Sequence, residues 1–261
     1  MTPGMIRVRR LMTDLGEIWF DEEPIAPLPD VLVLRQRYTP PERGAYTTQR
    51  SLINDLTLSE DELWKGLGST CRYKVRRAKD RDACVCAMYD QPTDIQIHAF
   101  ATFYEEFAKQ KSLPLERLDK LAATARVGRL RLSTASRSGD TIVWHSYVVT
   151  GEVARLASTA SLFRSDDPER RSIIGRANRL LHWNDMLAFK EGGLEKYDWG
   201  GLFVDESVPE KRNINNFKRE FGGVERDFFG AIQGVSLQGK LYLLARRLLR
   251  PQGQTQRQRR N

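Results

Sequence analysis

The 261-residue sequence is poor in the side chains that announce a metal centre or a disulfide scaffold: it has three histidines and three cysteines. An odd, sparse cysteine set excludes a disulfide framework and points to a reducing, cytoplasmic setting. Cys71 stands alone, while Cys84 and Cys86 fall in the apolar, strand-like stretch 83–88. A tetrahedral metal needs four ligands at workable spacing. His98, His145 and His182 all lie far from the cysteines along the chain, so no metal is expected. No stretch approaches the roughly 18–20 consecutive apolar residues of a membrane span. The first twelve residues carry arginines but no apolar core, so no secretory signal is expected there. Internal repeats and an obvious linker are also lacking.

What is present is globular. Hydrophobic residues make up 40% and charged residues 29%, with 11 Phe, 8 Tyr and 5 Trp. A chain of this length forms one large domain or two small ones and buries a core without staples. The net charge of +8 is unevenly placed. Residues 1–13 contribute +3 and residues 246–261 contribute +6, which leaves 14–245 at −1. A near-neutral body with basic ends argues against a whole-protein nucleic-acid platform. The last helix expected, about 238–249, is amphipathic, and the Arg-rich tail after Pro251 is expected to be disordered.

Patterning predicts strands at 31–38 and 50–56. A capping box at Ser59–Glu62 opens a helix that carries the basic run Arg72, Lys74, Arg76, Arg77 and Lys79. A strand follows at 83–88. A second box at Thr93–Gln96 opens a helix to about Lys109, and Pro114 starts another to about Arg126. Strands at 129–136, 141–149 and 153–161 come next, the last two forming a hairpin. After a polar loop at 162–171, a helix covers about 173–191, ended by Gly192 and Gly193. A short strand at 195–199, a helix at 210–221 and a strand at 224–231 precede the final helix. The order implies an α/β (α+β) protein with a mixed sheet flanked by helices.

Several residues are placed where chemistry is possible. A strand leading into a Gly-containing helix start at Gly175 would offer free N–H groups and a positive dipole end to a pyrophosphate; the other reading is small residues packing on the sheet. Asp198 ends a short apolar strand before two glycines, where it is either a base that binds an amine or a turn carboxylate capping nearby N–H groups. Strand alternation puts His145 and Tyr147 on one face, His145 with a pKa suited to proton transfer and Tyr147 as a general acid, unless the histidine is structural. His182 is mid-helix, a packed histidine or a substrate-binding one. Arg72, Arg76 and Lys79 share a helix face, which is either solvated or phosphate-binding, and Arg164 at the hairpin exit is a further anion candidate.

These residues also carry a resemblance. The topology and the stretch Ser172-x-x-Gly175-x-Ala177, with Arg171 one residue early, resemble the Arg/Gln-x-x-Gly-x-Gly/Ala motif of the GNAT superfamily of N-acyltransferases. Beyond it, Tyr197-Asp-Trp-Gly-Gly201 and Phe217-Lys-Arg-Glu-Phe-Gly222 resemble the Tyr-Asp-x-Gly-Gly and Phe-Lys-x-x-Phe-Gly segments of the Fem-type (FemAB-related) acyltransferases of bacterial cell-envelope synthesis. Earlier, Asp55-Leu-Thr and Arg72-Tyr-Lys-Val-Arg-Arg-Ala78 resemble that family's Asp-Leu-Ser and Arg-x-x-Ile-Arg-Arg-Ala segments, so the likeness runs from about 50 to 230. The chain is shorter than a Fem enzyme with two full GNAT-like domains, and no arm of paired long helices is visible. The resemblance implies a reduced N-terminal GNAT-like half at 1–92, an acyltransferase domain at 93–250 and a tail at 251–261. It implies that Gly175, Arg176, Ala177, Asn178 and Phe217 hold acyl-CoA as co-substrate, and that Lys218 stabilises negative charge near the acyl donor; without the resemblance Lys218 reads as a solvated helix lysine.

The function expected is transfer of an acyl group from a thioester to an amine of a small molecule or envelope precursor, with phosphate groups on donor or acceptor. The alternatives are a Fem-type transferase that takes its acyl group from aminoacyl-tRNA, and a non-enzymatic module that binds nucleic acid or membrane. The C-terminal Arg tail is the expected membrane contact, at the inner membrane surface.

Overall fold

In the computed structural model, residues 4–41, 44–162 and 167–249 are described. The chain forms two compact units, one made of 1–51 with 226–261 and the other of 52–225. The sequence-based division at 92/93 falls elsewhere, because the last strand returns to pair with the N-terminal ones. The expected tail at 251–261 and Arg164 lie outside the described residues.

The first unit begins with β1 (Ile6–Arg10), β2 (Thr13–Trp19), β3 (Val31–Arg37) and β4 (Tyr46–Asp55), whose last residues belong to the second unit. Sequence patterning did not mark β1 and β2. In β1 alternation runs only from Ile6 to Arg9 amid arginines, and in β2 Leu15, Ile18 and Trp19 do not alternate, so neither gives a clear strand signal.

The second unit continues with α1 (Glu60–Gly66), α2 (Ser69–Asp80), β5 (Val85–Tyr89), α3 (Asp94–Lys111), α4 (Leu118–Arg126), β6 (Leu130–Arg137), β7 (Asp140–Thr150), β8 (Val153–Ser161), α5 (Pro168–Glu191), β9 (Lys196–Asp198) and α6 (Pro209–Arg219). Both capping boxes form, with Ser59 and Glu62 at α1 and Thr93 and Gln96 at α3 exchanging bonds with backbone N–H groups. Its strands are ordered β4-β9-β8-β7-β6-β5, and β8–β9 is a parallel pair in an otherwise antiparallel set.

Alternation along β7 sorts the two faces of this sheet. Trp144 joins Ile97 and Phe100 of α3, Leu121 of α4 and Leu130 and Leu132 of β6 in one apolar cluster. Tyr147 packs into the other, beside Ile173, Ala177, Leu181 and Phe189 of α5 and Cys71, Val75 and Ala78 of α2. The long helix α5 is therefore the element that carries polar groups into the larger core.

Two glycine pairs hold the chain close where β9 and α6 end. Gly200, at φ +76°, lies so near the Leu156 carbonyl that a Cβ would strike it. At Gly222 and Gly223, with φ +73° and +92°, a Cβ would stand 2.8 Å from the Gly66 carbonyl oxygen and 2.7 Å from that of Ile53. Only glycine fits those backbones. The first unit closes with β10 (Val224–Gly234), antiparallel to β3, and α7 (Leu237–Leu249).

Candidate active site

The second unit contains an open cavity of about 380 Å³ between α5 and α6. Ile174, Gly175, Asn178 and Arg179 of α5 form one wall. Asn213, Asn216, Phe217 and Glu220 form the other, with Ser161 at the end of β8. Arg179 and Glu220 face each other across it as a fork-to-fork ion pair, at 2.7 and 3.0 Å. The Arg179 guanidinium also lies 4.7 Å from the centroid of the Phe217 ring. Positions 175, 178 and 182 follow at helical spacing, so His182 lies one turn beyond Asn178 on the same face of α5.

Behind Asn178 runs a buried chain of polar side chains. His145 is 0% exposed and places Nδ1 2.8 Å from Asp185 Oδ2 and Nε2 2.7 Å from Asn178 Oδ1. The same Asp185 oxygen accepts the Ser133 hydroxyl at 2.9 Å and the Tyr147 hydroxyl at 2.5 Å. Tyr147 OH lies 2.8 Å from Tyr197 OH, and Tyr197 OH lies 2.7 Å from His182 Nδ1. The proton order follows by elimination. Tyr147 spends its one proton on Asp185, so Tyr197 donates to Tyr147, and His182 Nδ1–H donates to Tyr197.

The environment fixes the charge states. Burial and then the neighbouring Asp185 carboxylate hold both phenols well above the ordinary tyrosine range. Burial, reinforced by His145, Lys218 and Arg179, holds His182 well below the ordinary histidine range, so its ring is neutral. The rings of His145 and His182 stack at 4.0 Å.

His145, His182 and Asp185 also form the one ligand set, among the described residues, whose donor atoms lie within 4.8 Å of one another. The metal set weighed from sequence spacing joined histidines to the cysteines; β7 and α5 instead bring two of the three histidines together with Asp185. The separations of 2.8 Å to His145 and 2.5 Å to Tyr147 at Asp185 Oδ2 are hydrogen-bond distances. The cluster is thus a hydrogen-bonded network whose carboxylate is already occupied by three donors.

Next to the cavity, Lys218 of α6 donates to the carbonyl oxygens of Trp199, at 2.9 Å, and Gly201. Burial, with a further push from Arg155 and against the pull of Asp198, lowers its pKa to about 8. This is a partly buried ammonium tied to the Gly-Gly turn after β9, not a solvated helix lysine. Trp199 is itself fixed through Nε1 to Asn54 Oδ1 at 2.7 Å, and Asn54 bonds the Phe221 carbonyl at 2.9 Å.

The sequence-derived candidates divide. Gly175, Asn178 and Phe217 line the cavity. His145 and Tyr147 share a face as expected and meet at Asp185. Both are fully buried, so in this structure neither touches a molecule in the cavity; Asn178 stands between. Asp198 is also 0% exposed, and its carboxylate accepts the Gly200 N–H at 2.7 Å, which is the turn-capping geometry rather than that of a base open to an amine.

Other expectations are corrected. The helix does not start at Gly175: α5 begins at Pro168 behind an Asp167 cap, so the N–H groups at Gly175 lie two turns inside the helix and are not free. Arg176 is committed to a buried two-pronged bond with Asp82, at 2.5 and 3.0 Å, and reaches Glu169 as well. Ala177 is in the core. His182 is too buried, and neutral, to hold a phosphate. Arg72 donates to the Lys65 and Leu67 carbonyls at the end of α1, and Arg76 stacks over Trp64 at 5.2 Å; neither lines the cavity. Sequence reasoning missed Asp185, Arg179 and Glu220. The i, i+4, i+7 spacing of Asn178, His182 and Asp185 along one helix was the available signal for Asp185.

No family model matches the chain, and no curated protein matches it. Solved structures do. FemX superposes with a TM-score of 0.61 at 13% identity, covering 92% of this chain and 85% of FemX. The C-terminal DUF2156 domain of a protein assigned as a lysylphosphatidylglycerol synthetase of Agrobacterium fabrum gives 0.57 at 15% identity, covering 94% of this chain and 85% of that one. L-PGS from Bacillus licheniformis gives 0.50 at 12% identity, covering 84% and 73%. At such identities the likeness is one of fold, and the chain shares the fold of FemX and of these two synthetase structures.

Proposed function

We propose that this protein is an N-acyltransferase that moves an acyl group from a thioester to an amine in the cavity between α5 and α6. The observation that carries the reading is Asn178, a cavity residue held from behind by the His145–Asp185 pair, beside the Phe217–Lys218 step of α6. In such a transfer the amine nitrogen attacks the thioester carbon. The C–N bond forms as the C–S bond breaks, and the proton lost by the nitrogen balances the one taken up by the leaving thiolate. The enzyme must align the two partners and stabilise the oxyanion that forms on the carbonyl oxygen.

The residues divide the work. Asn178 is the member of this network that lines the cavity, and its side-chain amide is the group it offers to a ligand. A preset amide of this kind suits an oxyanion, since no reorganisation is needed at the moment of reaction. Lys218 has two of its three N–H groups on carbonyls, and its charge supplements the amide. Asp185, through His145, is a positioning residue; Tyr147 and Ser133 hold Asp185 in turn, and Tyr197 bonds Tyr147. The acceptor is an amine of a small molecule or envelope precursor, and acyl-CoA is the donor we favour.

The experiment is thermal denaturation of the full chain with acetyl-CoA and longer acyl-CoAs, followed by thiol release on adding an amine panel. The reading expects a melting rise with at least one acyl-CoA and thiol release that requires the amine. A flat response to every CoA ester contradicts the acyl-CoA donor.

A second donor, aminoacyl-tRNA, is favoured by one observation. The helix that would cradle the pyrophosphate of coenzyme A starts two turns before Gly175. Binding of charged tRNA at low salt, weakening steeply as salt rises, would support this donor; absence of binding at low salt excludes it.

A further inference from the structure

The first unit carries an apolar surface that the transfer reaction does not use. On α7, Leu237, Leu241, Leu244 and Leu248 recur at i, i+4, i+7 and i+11, which places them on one face. They are 75%, 58%, 54% and 77% exposed. A helix at the surface of a globular protein ordinarily turns such a stripe inward. Here the opposite face is the packed one. Gly239 is buried so close to the Asp30 carbonyl that a Cβ would strike it, and Ser236 at the helix start bonds both Asp30 and the Gly239 N–H.

A second exposed apolar element sits beside the start of the helix. The turn between β1 and β2 presents Leu11 and Met12, and Gln238 of α7 donates to the Met12 carbonyl at 2.5 Å. The surroundings are basic. Arg9 and Arg10 are exposed beside the turn, and Lys240 and Arg247 are exposed along one flank of the leucine stripe. Residues 1–13 and 228–261 contain no acidic residue at all. Among the described residues, the fold thus places Arg9, Arg10, Lys240 and Arg247 around exposed leucines.

We propose that this surface docks on a bilayer of anionic phospholipid, with the leucine stripe of α7 and the Leu11–Met12 turn entering the acyl boundary and the lysine and arginines meeting the headgroups. The charge selects the occupant: an apolar stripe rimmed by cations fits an anionic lipid surface. A polynucleotide matches the cations but gives the leucines nothing to enter. The proposal differs from a contact made by the C-terminal tail, because the determinant is a folded helix face. It is independent of the acyl-transfer reading, and its test involves no turnover.

The test is sedimentation of the full chain with phosphatidylglycerol-containing vesicles and with pure phosphatidylcholine vesicles, at about 0.15 M salt. The expected result is binding to the anionic vesicles at least tenfold tighter than to the neutral ones. Leu241→Ser/Leu244→Ser/Leu248→Ser should weaken it tenfold or more with the melting temperature unchanged, and Lys240→Glu/Arg247→Glu should weaken it with a reduced salt dependence. Equal binding to both vesicles, or a leucine variant that binds like wild type, overturns the proposal. So does loss of binding on deleting 251–261 while the leucine variant retains it, since the tail would then be the determinant. A dimer in solution that the leucine variant converts to monomer, with no vesicle binding, would assign the stripe to a second copy of the chain. Tight tRNA binding without vesicle binding would assign the cations to a polynucleotide.

Discussion

Helices α5 and α7 solve opposite problems. Helix α5 runs through the larger core yet carries Asn178, His182 and Asp185 on its inner side, each bonded to a partner from β7 or β9. Helix α7 carries leucines at regular helical spacing and leaves them outside. Buried polar groups and exposed apolar stripes both cost stability, so each marks a place where folding alone does not account for the residue. The contrast makes inside-out patterning, read in both directions, rather than the density of charge, the guide to the proposed site and surface. The basic helix α2, the most conspicuous charge cluster in the sequence, turned out to spend Arg72, Arg76 and Arg77 on α1 carbonyls, Trp64 and Glu169.

The largest effect should come from the carboxylate at the centre of the α5 network. Asp185→Ala leaves Ser133, His145 and Tyr147 without their common acceptor. It should lower unfolding free energy by about 3 kcal/mol or more in urea titration, since each buried donor left without its acceptor costs about 1–3 kcal/mol. A loss below about 1 kcal/mol would mean that the network is slack and the contrast with α7 overstated.

The next test uses pH. Lys218 is charged below its pKa of about 8 and neutral above it. If its ammonium helps hold the oxyanion, the rate falls as pH rises through about 8, and Lys218→Arg, which stays charged, moves that limb upward. The stability sign is opposite. Because the folded pKa is depressed below the unfolded one, the unfolded chain holds more protons between about 8 and 10.4, and stability rises with pH across that window. A rate that climbs through pH 8 in wild type but not in Lys218→Met would instead make the neutral amine the active form.

The smallest effect belongs to α7. Leu241→Ser should change unfolding free energy by no more than about 0.5 kcal/mol, because the side chain is already 58% exposed. A loss of 2 kcal/mol would show the stripe to be packed in solution and would erase the difference between the two helices.

Much of the fold was legible from sequence because it rests on local signals. The capping boxes at Ser59 and Thr93, the hairpin of β7 and β8 and the glycine-terminated helices are all written within a few neighbouring residues. The strands β1 and β2 were not legible, since pairing and tertiary context hold them, not pattern. The site was legible in part. Strand alternation put His145 and Tyr147 on one face, and motif likeness marked Asn178 and Phe217. What they do depends on Asp185, 38 residues beyond Tyr147, and on a helix start at Pro168 that the small residues at 175 and 177 disguised. A buried acceptor shared by three donors is a property of packing, and one sequence has no local signal for it.

The account turns on Asn178 as the cavity-facing end of the His145–Asp185 pair. The most direct measurement is amine-dependent thiol release by wild type and Asn178→Ala, compared at matched protein with the melting temperature followed in parallel. The account predicts a fall in kcat of about 10²–10³-fold, as for loss of one preset oxyanion donor, with little change in melting. An Asn178→Ala enzyme that turns over at the wild-type rate would contradict it.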